Sequence, residues 1–275
     1  MIQACLNGRR TRSEHDDVPL SPRQLAAQAA AVAAEGASSI HMHPRDRSGR
    51  ESLESWCIGD AVGAVRAACR LPVGVSTGLW ITDGDVSRRL ELVTRWRQDA
   101  LPDFVSLNVS EPGFGEMAHV LGGMGVGVEA GVWSVADAHL LLNSSAATSC
   151  VRVLVEVIGM PRQRALDEAD RIFSVLHGAG LAVPVLLHGD GDSTWPVLDR
   201  ALACGLESRV GLEDVLTDAA GARVQGNAHL MRLALGRRVV VSGDGAVVSG
   251  DGAAVPGGGR GAGDGGEGAG GGSHE

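Results

Sequence analysis

The sequence predicts an α/β protein, a (β/α)8 TIM barrel, and three observations carry that expectation. Short β-like apolar runs alternate with longer helical segments almost throughout the chain, the pattern of parallel strands joined by crossover helices. The strand candidates number eight, the count that closes a barrel. Polar residues gather just after nearly every candidate strand, where a barrel keeps its active site; an open doubly wound sheet would concentrate them at one switch point. A chain of 275 residues accommodates one such domain of roughly 250 residues plus a tail. The expected division is a barrel over 1–248 and a tail over 249–275.

Taken in order, the first strand is Ile2–Leu6, followed by a polar loop that contains Glu14. Ser21-Pro22 then opens the helix Pro22–Glu35 with a capping residue and a proline at the first helical position. The second strand, Ser38–His43, alternates so that His41 and His43 share a face. Val73–Thr77 is the third strand, ending on Ser76-Thr77-Gly78, and Gly84–Arg97 is the helical segment behind it. Phe104–Asn108 and Val126–Glu129 are the fourth and fifth strands, closed by Asn108 and Glu129. The sixth, Val151–Val157, carries Glu156 and leads into the helix Pro161–Leu176. Val183–His188 and Arg209–Leu212 complete the set, the last running straight into Glu213-Asp214. From about Ser249 the chain is almost pure Gly with Ala, Asp and Glu, a composition that cannot bury enough apolar surface to offset its ordering entropy, so the tail is expected to be disordered.

Composition excludes several classes of function. Apolar residues make up 44% of the chain, enough for a sizeable core, and the net charge is −9. A nucleic-acid partner calls for a basic face to neutralise phosphates, and no run of basic residues carries interleaved aromatics. The five cysteines (Cys5, Cys57, Cys69, Cys150 and Cys204) form no CxxC pair, which suits free thiols in a reducing compartment. No apolar stretch reaches the roughly 18–20 residues of a membrane span, and the amino terminus lacks signal-peptide architecture. The expectation is a soluble, cytoplasmic protein with no membrane partner. There is no lysine and no tyrosine. Schiff-base chemistry on a lysine amine is therefore excluded, and acid–base work falls to His, Asp, Glu, Ser, Cys or a metal-bound water.

The strongest local signal is His41-Met42-His43-Pro44-Arg45-Asp46. Two imidazoles side by side at the C-terminal end of a strand make half of a zinc site, and a catalytic site needs a third ligand and an open position. Glu213, at the end of the eighth strand, is the candidate third ligand, because strands eight, one and two adjoin in a closed barrel. Asp214 is then the candidate general base. Without the histidines, Glu213-Asp214 would read as an acidic pair at a helix N-terminus. Arg209 should face the same mouth, where a guanidinium can hold a carboxylate by a bidentate contact. Glu14, Ser76, Thr77, Asn108 and Glu129 are further strand-end candidates, each alone explicable as a cap or loop residue.

Up to about Arg238 the chain resembles the β-keto acid cleavage enzymes, the family first described for 3-keto-5-aminohexanoate cleavage. The matching motifs occur in order: Asn7-Gly8 with Glu14-His15, Pro19-Leu20-Ser21-Pro22, His41-Met42-His43-Pro44-Arg45-Asp46, Val75-Ser76-Thr77-Gly78 and Ser106-Leu107-Asn108. His188-Gly189 with Thr194-Trp195 and Arg209-Val210-Gly211-Leu212-Glu213-Asp214 follow. The resemblance implies a TIM barrel with zinc on His41, His43 and Glu213. It implies a retro-Claisen-type reaction in which a β-keto acid and acetyl-CoA give acetoacetate and a new CoA thioester, with Asp214, oriented by Arg209, as the base. It further implies that Glu14, Ser76 and Glu129 contact substrate or assist proton transfer, and that the protein is a homo-oligomer. The chain departs from the family at its end, where Arg237–Val241 runs into the Gly-rich tail in place of a terminal helical segment, and its loop Ser110–Gly115 is short. Two alternatives stand beside this reading. One is an amidohydrolase-like metal-dependent hydrolase, which would place the HxH pair on the first strand and often bridge two metals with a lysine. The other is a barrel that binds a metabolite without turnover.

Overall fold

The computed structural model describes residues 1–241 and 247–250. Eight parallel strands form one sheet in the order β7-β6-β5-β4-β3-β2-β1-β8. These are β1 (Ile2–Cys5), β2 (Ser39–Met42), β3 (Val73–Ser76) and β4 (Phe104–Asn108), then β5 (Gly127–Val132), β6 (Arg152–Val157), β7 (Val185–Gly189) and β8 (Ser208–Val210). The seam between β7 and β8 is closed by a single parallel bridge, Leu186 with Glu207. There the Leu187 amide donates to the Glu207 carbonyl at 2.9 Å, and the Ser208 hydroxyl to the Leu187 carbonyl at 2.8 Å. The result is the expected (β/α)8 barrel, with β8 beside β1 and β2 beyond it.

Helices α1 (Pro22–Glu35), α2 (Ser55–Ala68), α3 (Val86–Thr94) and α4 (Phe114–Gly123) alternate with the first strands. α5 (Val135–Leu142), α6 (Arg162–Gly178), α7 (Thr194–Ala203) and α8 (Asn227–Gly236) complete the ring. At α1 the Ser21 hydroxyl accepts from the Gln24 amide while the Gln24 side chain accepts from the Ser21 amide. This reciprocal capping box, with Pro22 behind it, sets the helix start where the sequence placed it. α3 begins two residues later than expected because Asp85 takes the cap position, its carboxylate accepting from the Arg88 amide.

Apolar side chains such as Ile40, Met42, Val75, Val105 and Leu107 are fully or almost fully buried in the core cluster with the helices. The barrel interior is largely polar. Its lower part holds Glu129, which pairs with Arg152 and takes a 3.1 Å hydrogen bond from the Gln3 amide. Arg152 also pairs with Glu207. After α8 the chain forms a hairpin of β9 (Arg238–Val241) and β10 (Val247–Gly250). The expected disordered tail lies, from Asp251 on, outside the described residues. All five cysteines are free, as the sequence suggests. Among the described residues no helix is long and apolar enough to cross a membrane.

Candidate metal centre and active site

β2 with the residue that follows it, and the turn after β8, deliver three ligand-type side chains to one point at the barrel mouth. Ligand atoms of His41, His43 and Glu213 all lie within 4.8 Å of one another. The two Nε2 atoms are 3.1 Å apart, and the Glu213 oxygens stand 3.7 Å from His41 Nε2 and 3.4 Å from His43 Nε2. Four ligands held tetrahedrally at about 2.0–2.1 Å from a zinc ion are separated from each other by roughly 3.4 Å, so the triad has the spacing of a cation site. A second observation supports the fit. Glu213 Oε2 is buried without a hydrogen-bond partner, a costly state that a bound cation would relieve.

The glycine at position 8 explains how Glu213 reaches the histidines. Gly8 has φ +52°, and a Cβ built there would lie 2.4 Å from Glu213 Cγ. The β1–α1 loop therefore leaves room for the ligand only with glycine. Just after β8, a Cβ at Gly211 would lie 1.8 Å from the Cys5 carbonyl oxygen, so the turn that presents Glu213 and Asp214 packs directly on β1.

The electrostatics of the two histidines differ. Burial dominates at His41 and, against the attraction of Glu213, lowers its pKa to about 3, so this imidazole is neutral. Burial acts the same way on His43, but Glu213 and Glu51 outweigh it and raise its pKa to about 9. Glu51, which the sequence did not single out, accepts from His43 Nδ1 in a very short contact. Its second oxygen accepts from Trp80 Nε1 at 3.1 Å.

Arg209 is almost fully buried and lies between the paired acids. Its Nη2 donates to Glu213 Oε1 at 3.0 Å and to Asp214 Oδ1 at 2.9 Å. The guanidinium therefore bridges the two neighbouring carboxylates. Its Nε is buried without a hydrogen-bond partner, so the guanidinium keeps a donor that neither acid uses. Asp214 Oδ2 is buried and unpartnered. Burial raises the pKa of Asp214, against the opposing pull of Arg209 and His188. The combination gives a carboxylate with one tethered and one open oxygen. His188 on β7 stands beyond it, with Nδ1 3.7 Å from Asp214 Oδ1 and Nε2 3.3 Å from Glu156 Oε2.

The remaining candidates separate by position. Ser76 is buried at the end of β3, and its oxygen accepts a weak 3.4 Å bond from the Gly78 amide. The Thr77 hydroxyl is committed to the Ser106 carbonyl at 2.7 Å, tying β3 to β4. Asn108 closes β4 and donates to Glu111 at 2.9 Å. Glu14 sits in an exposed turn, bonded to Arg10 and to the Thr11 amide, with no bond to the triad. Glu129 is a correction. Expected at the mouth, it lies low in the barrel, because β5 runs three residues beyond it to Val132. The surface it shares with Met1, Pro72, Pro184 and Glu207 is the end from which the strands begin. Glu156 on β6 instead stands beside His188, and its other oxygen accepts from Trp133 Nε1 at 3.1 Å.

A sequence profile described as beta-keto acid cleavage enzyme matches residues 1–237. No curated protein matches the chain. Among solved structures, the apo structure of ObcA is similar with a TM-score of 0.61 at 17% identity, over 78% of this chain. The chain spans only 60% of that protein's length. The 3-dehydroquinate dehydratase of Aquifex aeolicus VF5 gives a TM-score of 0.53 at 11% identity, over 86% of this chain and 95% of the other. The thiamine phosphate pyrophosphorylase of Pyrococcus furiosus gives 0.51 at 12%, over 85% and 93%. At these identities the likeness is one of fold.

Proposed function

The chain belongs to the beta-keto acid cleavage enzyme family, and on that premise we propose that it uses zinc and acetyl-CoA to convert a β-keto acid into acetoacetate and a new CoA thioester. The observation that carries the reading is the division of labour at the end of β8. Arg209 holds two adjacent carboxylates, Glu213 turned to the two histidines and Asp214 left with one open, buried oxygen. His41, His43 and Glu213 would hold the ion. A donor set of two imidazoles and one carboxylate suits zinc and leaves a position for substrate. When bound there, the ion supplies Lewis-acid polarisation of a substrate oxygen.

The protein's own groups account for the proton. Asp214 takes it from the carbon between the keto and carboxylate groups of the β-keto acid, and Arg209 keeps the base aligned. The resulting carbanion forms a bond to the acetyl carbonyl carbon of acetyl-CoA as the thiolate leaves. The thiolate then adds to the original keto carbon. The bond between that carbon and its neighbour breaks, giving the acyl-CoA and the acetoacetate carbanion, to which Asp214 returns the proton. Ser76 and Asn108 line the same mouth as hydrogen-bonding groups for the substrate. Water is kept from the base by burial, since Asp214 is only 2% exposed.

The discriminating variant is Asp214→Asn, which preserves shape and removes the base. General-base catalysis is worth on the order of 10²–10⁴-fold, so kcat should fall by that factor with metal content unchanged. Retention of kcat in a metal-loaded Asp214→Asn protein would remove Asp214 from the role.

A further inference from the structure

His43 and His41 are not equivalent. His41 Nδ1 is buried with no hydrogen-bond partner, whereas His43 Nδ1 meets the Glu51 carboxylate. The contact is built by a tight turn. The Asp46 amide donates to the Arg50 carbonyl at 2.8 Å, and Asp46 Oδ1 accepts from the amides of Ser48 at 2.8 Å and Arg50 at 3.1 Å. Gly49 supplies the left-handed residue at φ +83°. Arg45 and Glu51 then bridge antiparallel, and the Ser52 amide donates to the Pro44 carbonyl at 3.0 Å. The chain thereby folds back, and Glu51 reaches the imidazole eight positions before it.

The other end of the carboxylate is also fixed. Trp80, on the short 3-10 helix Leu79–Thr82 after β3, donates its indole N–H to Glu51 Oε2 at 3.1 Å. The same indole stacks on the His43 ring, with centroids 6.4 Å apart and planes 25° from parallel. Both carboxylate oxygens are therefore held, one by the imidazole and one by the indole. A neutral His43 so held carries its proton on Nδ1 and presents the Nε2 lone pair to the triad.

We propose that Glu51 and Trp80 are positioning residues of the metal site, Glu51 fixing the tautomer and ring plane of His43 and Trp80 fixing Glu51. This inference rests on the metal reading above. A carboxylate behind a ligating histidine orients the ring and raises its basicity, and loss of such a partner typically costs 10–100-fold in metal affinity. The arrangement assigns that support to one imidazole alone, so the two ligands differ in how much their environment contributes.

The test is a zinc affinity measured by competition with a chromogenic chelator, on the full chain, for wild type, Glu51→Gln, Trp80→Phe and the double variant. Glu54→Gln, a carboxylate of the same loop paired with Arg88, serves as control. Glu51→Gln keeps an acceptor for His43 but turns an amide donor towards the Trp80 N–H, so affinity should fall by about 10–100-fold. Trp80→Phe keeps the ring stack and removes only the indole donor; its loss should be smaller. In the double variant the donor–donor conflict is gone, so its loss should be less than the product of the two single losses. Glu54→Gln should match wild type. Unchanged affinity in both Glu51→Gln and Trp80→Phe would overturn the proposal, and strictly multiplicative losses would overturn the link between the two residues. A wild-type chain that binds no zinc would instead overturn the metal reading on which the proposal rests. Weakened zinc in Glu51→Gln, from a wild type that binds metal but turns over no β-keto acid, would uphold this inference while the reaction reading failed.

Discussion

Substitution of Gly8 by alanine should strip the metal site without replacing any ligand. A Cβ at this position would stand 2.4 Å from Glu213 Cγ and 3.0 Å from its Cβ, against an ordinary carbon–carbon contact of about 3.5–4.0 Å. Glu213 must therefore retreat by about 1 Å, while ligand distances tolerate only about 0.2 Å. One ligand of three is lost, so zinc affinity should fall by more than the roughly 100-fold that the loss of an outer-shell partner can cost. The backbone adds a separate penalty, since φ at Gly8 is +52° and a left-handed conformation costs a non-glycine residue about 1–2 kcal/mol. In chelator-treated protein that strain should lower Tm by several degrees, at roughly 2–4 °C per kcal/mol for a domain of this size. Gly8→Asn separates the two effects, because asparagine tolerates the left-handed region but brings the same Cβ. Equilibrium zinc titration and thermal unfolding with chelator report them independently. If Gly8→Ala bound zinc as tightly as wild type, the placement of Glu213 against the loop would be refuted.

The pH dependence of metal binding follows from the two imidazoles. In the metal-free protein His43 titrates at about 9 and His41 at about 3, so near pH 7.5 only His43 carries a proton that the ion must displace. Calorimetry in buffers of different ionisation enthalpy should show about one proton released, with affinity rising about tenfold per pH unit and levelling above pH 9; release near zero would contradict it. Arg209→Met leaves the buried Asp214 carboxylate without its ion-pair partner and removes one partner of Glu213, which keeps His43, a loss of about 3–5 kcal/mol by denaturant unfolding, and unchanged stability would show the pairing to be weak. Glu129→Gln should leave KM and kcat within a few-fold of wild type while lowering stability, because its partners are Arg152 and Gln3 near the strand starts. A selective collapse of kcat in that variant would return Glu129 to the chemistry.

The parts of this protein that could be read from its sequence are those encoded by short-range period. Alternation on β2 put His41 and His43 on one face, and Ser21-Pro22 fixed the start of α1, because both are local physics. Glu213 followed from topology once β8, β1 and β2 were neighbours. Glu51 escaped notice because its relation to His43 is made by a turn and not by a period. The sequence ends the fifth strand at Glu129, three residues short of the observed end of β5. Within the extra residues a Cβ at Gly131 would meet Asn108 Oδ1 at 2.5 Å and Glu156 Oε1 at 2.8 Å. The strand therefore continues through a glycine that makes room for two mouth side chains, and Glu129 falls below the site. Arg209 was placed on the right face, but sequence could not show that both neighbouring acids would claim it.

The most direct test of the whole account is a paired measurement on purified wild-type protein and His41→Ala: bound zinc per chain, and acyl-CoA formation from acetyl-CoA with a panel of β-keto acids. The account predicts near-stoichiometric zinc and turnover on at least one β-keto acid for wild type, with both lost together in His41→Ala. Turnover that persists in zinc-free His41→Ala would contradict it.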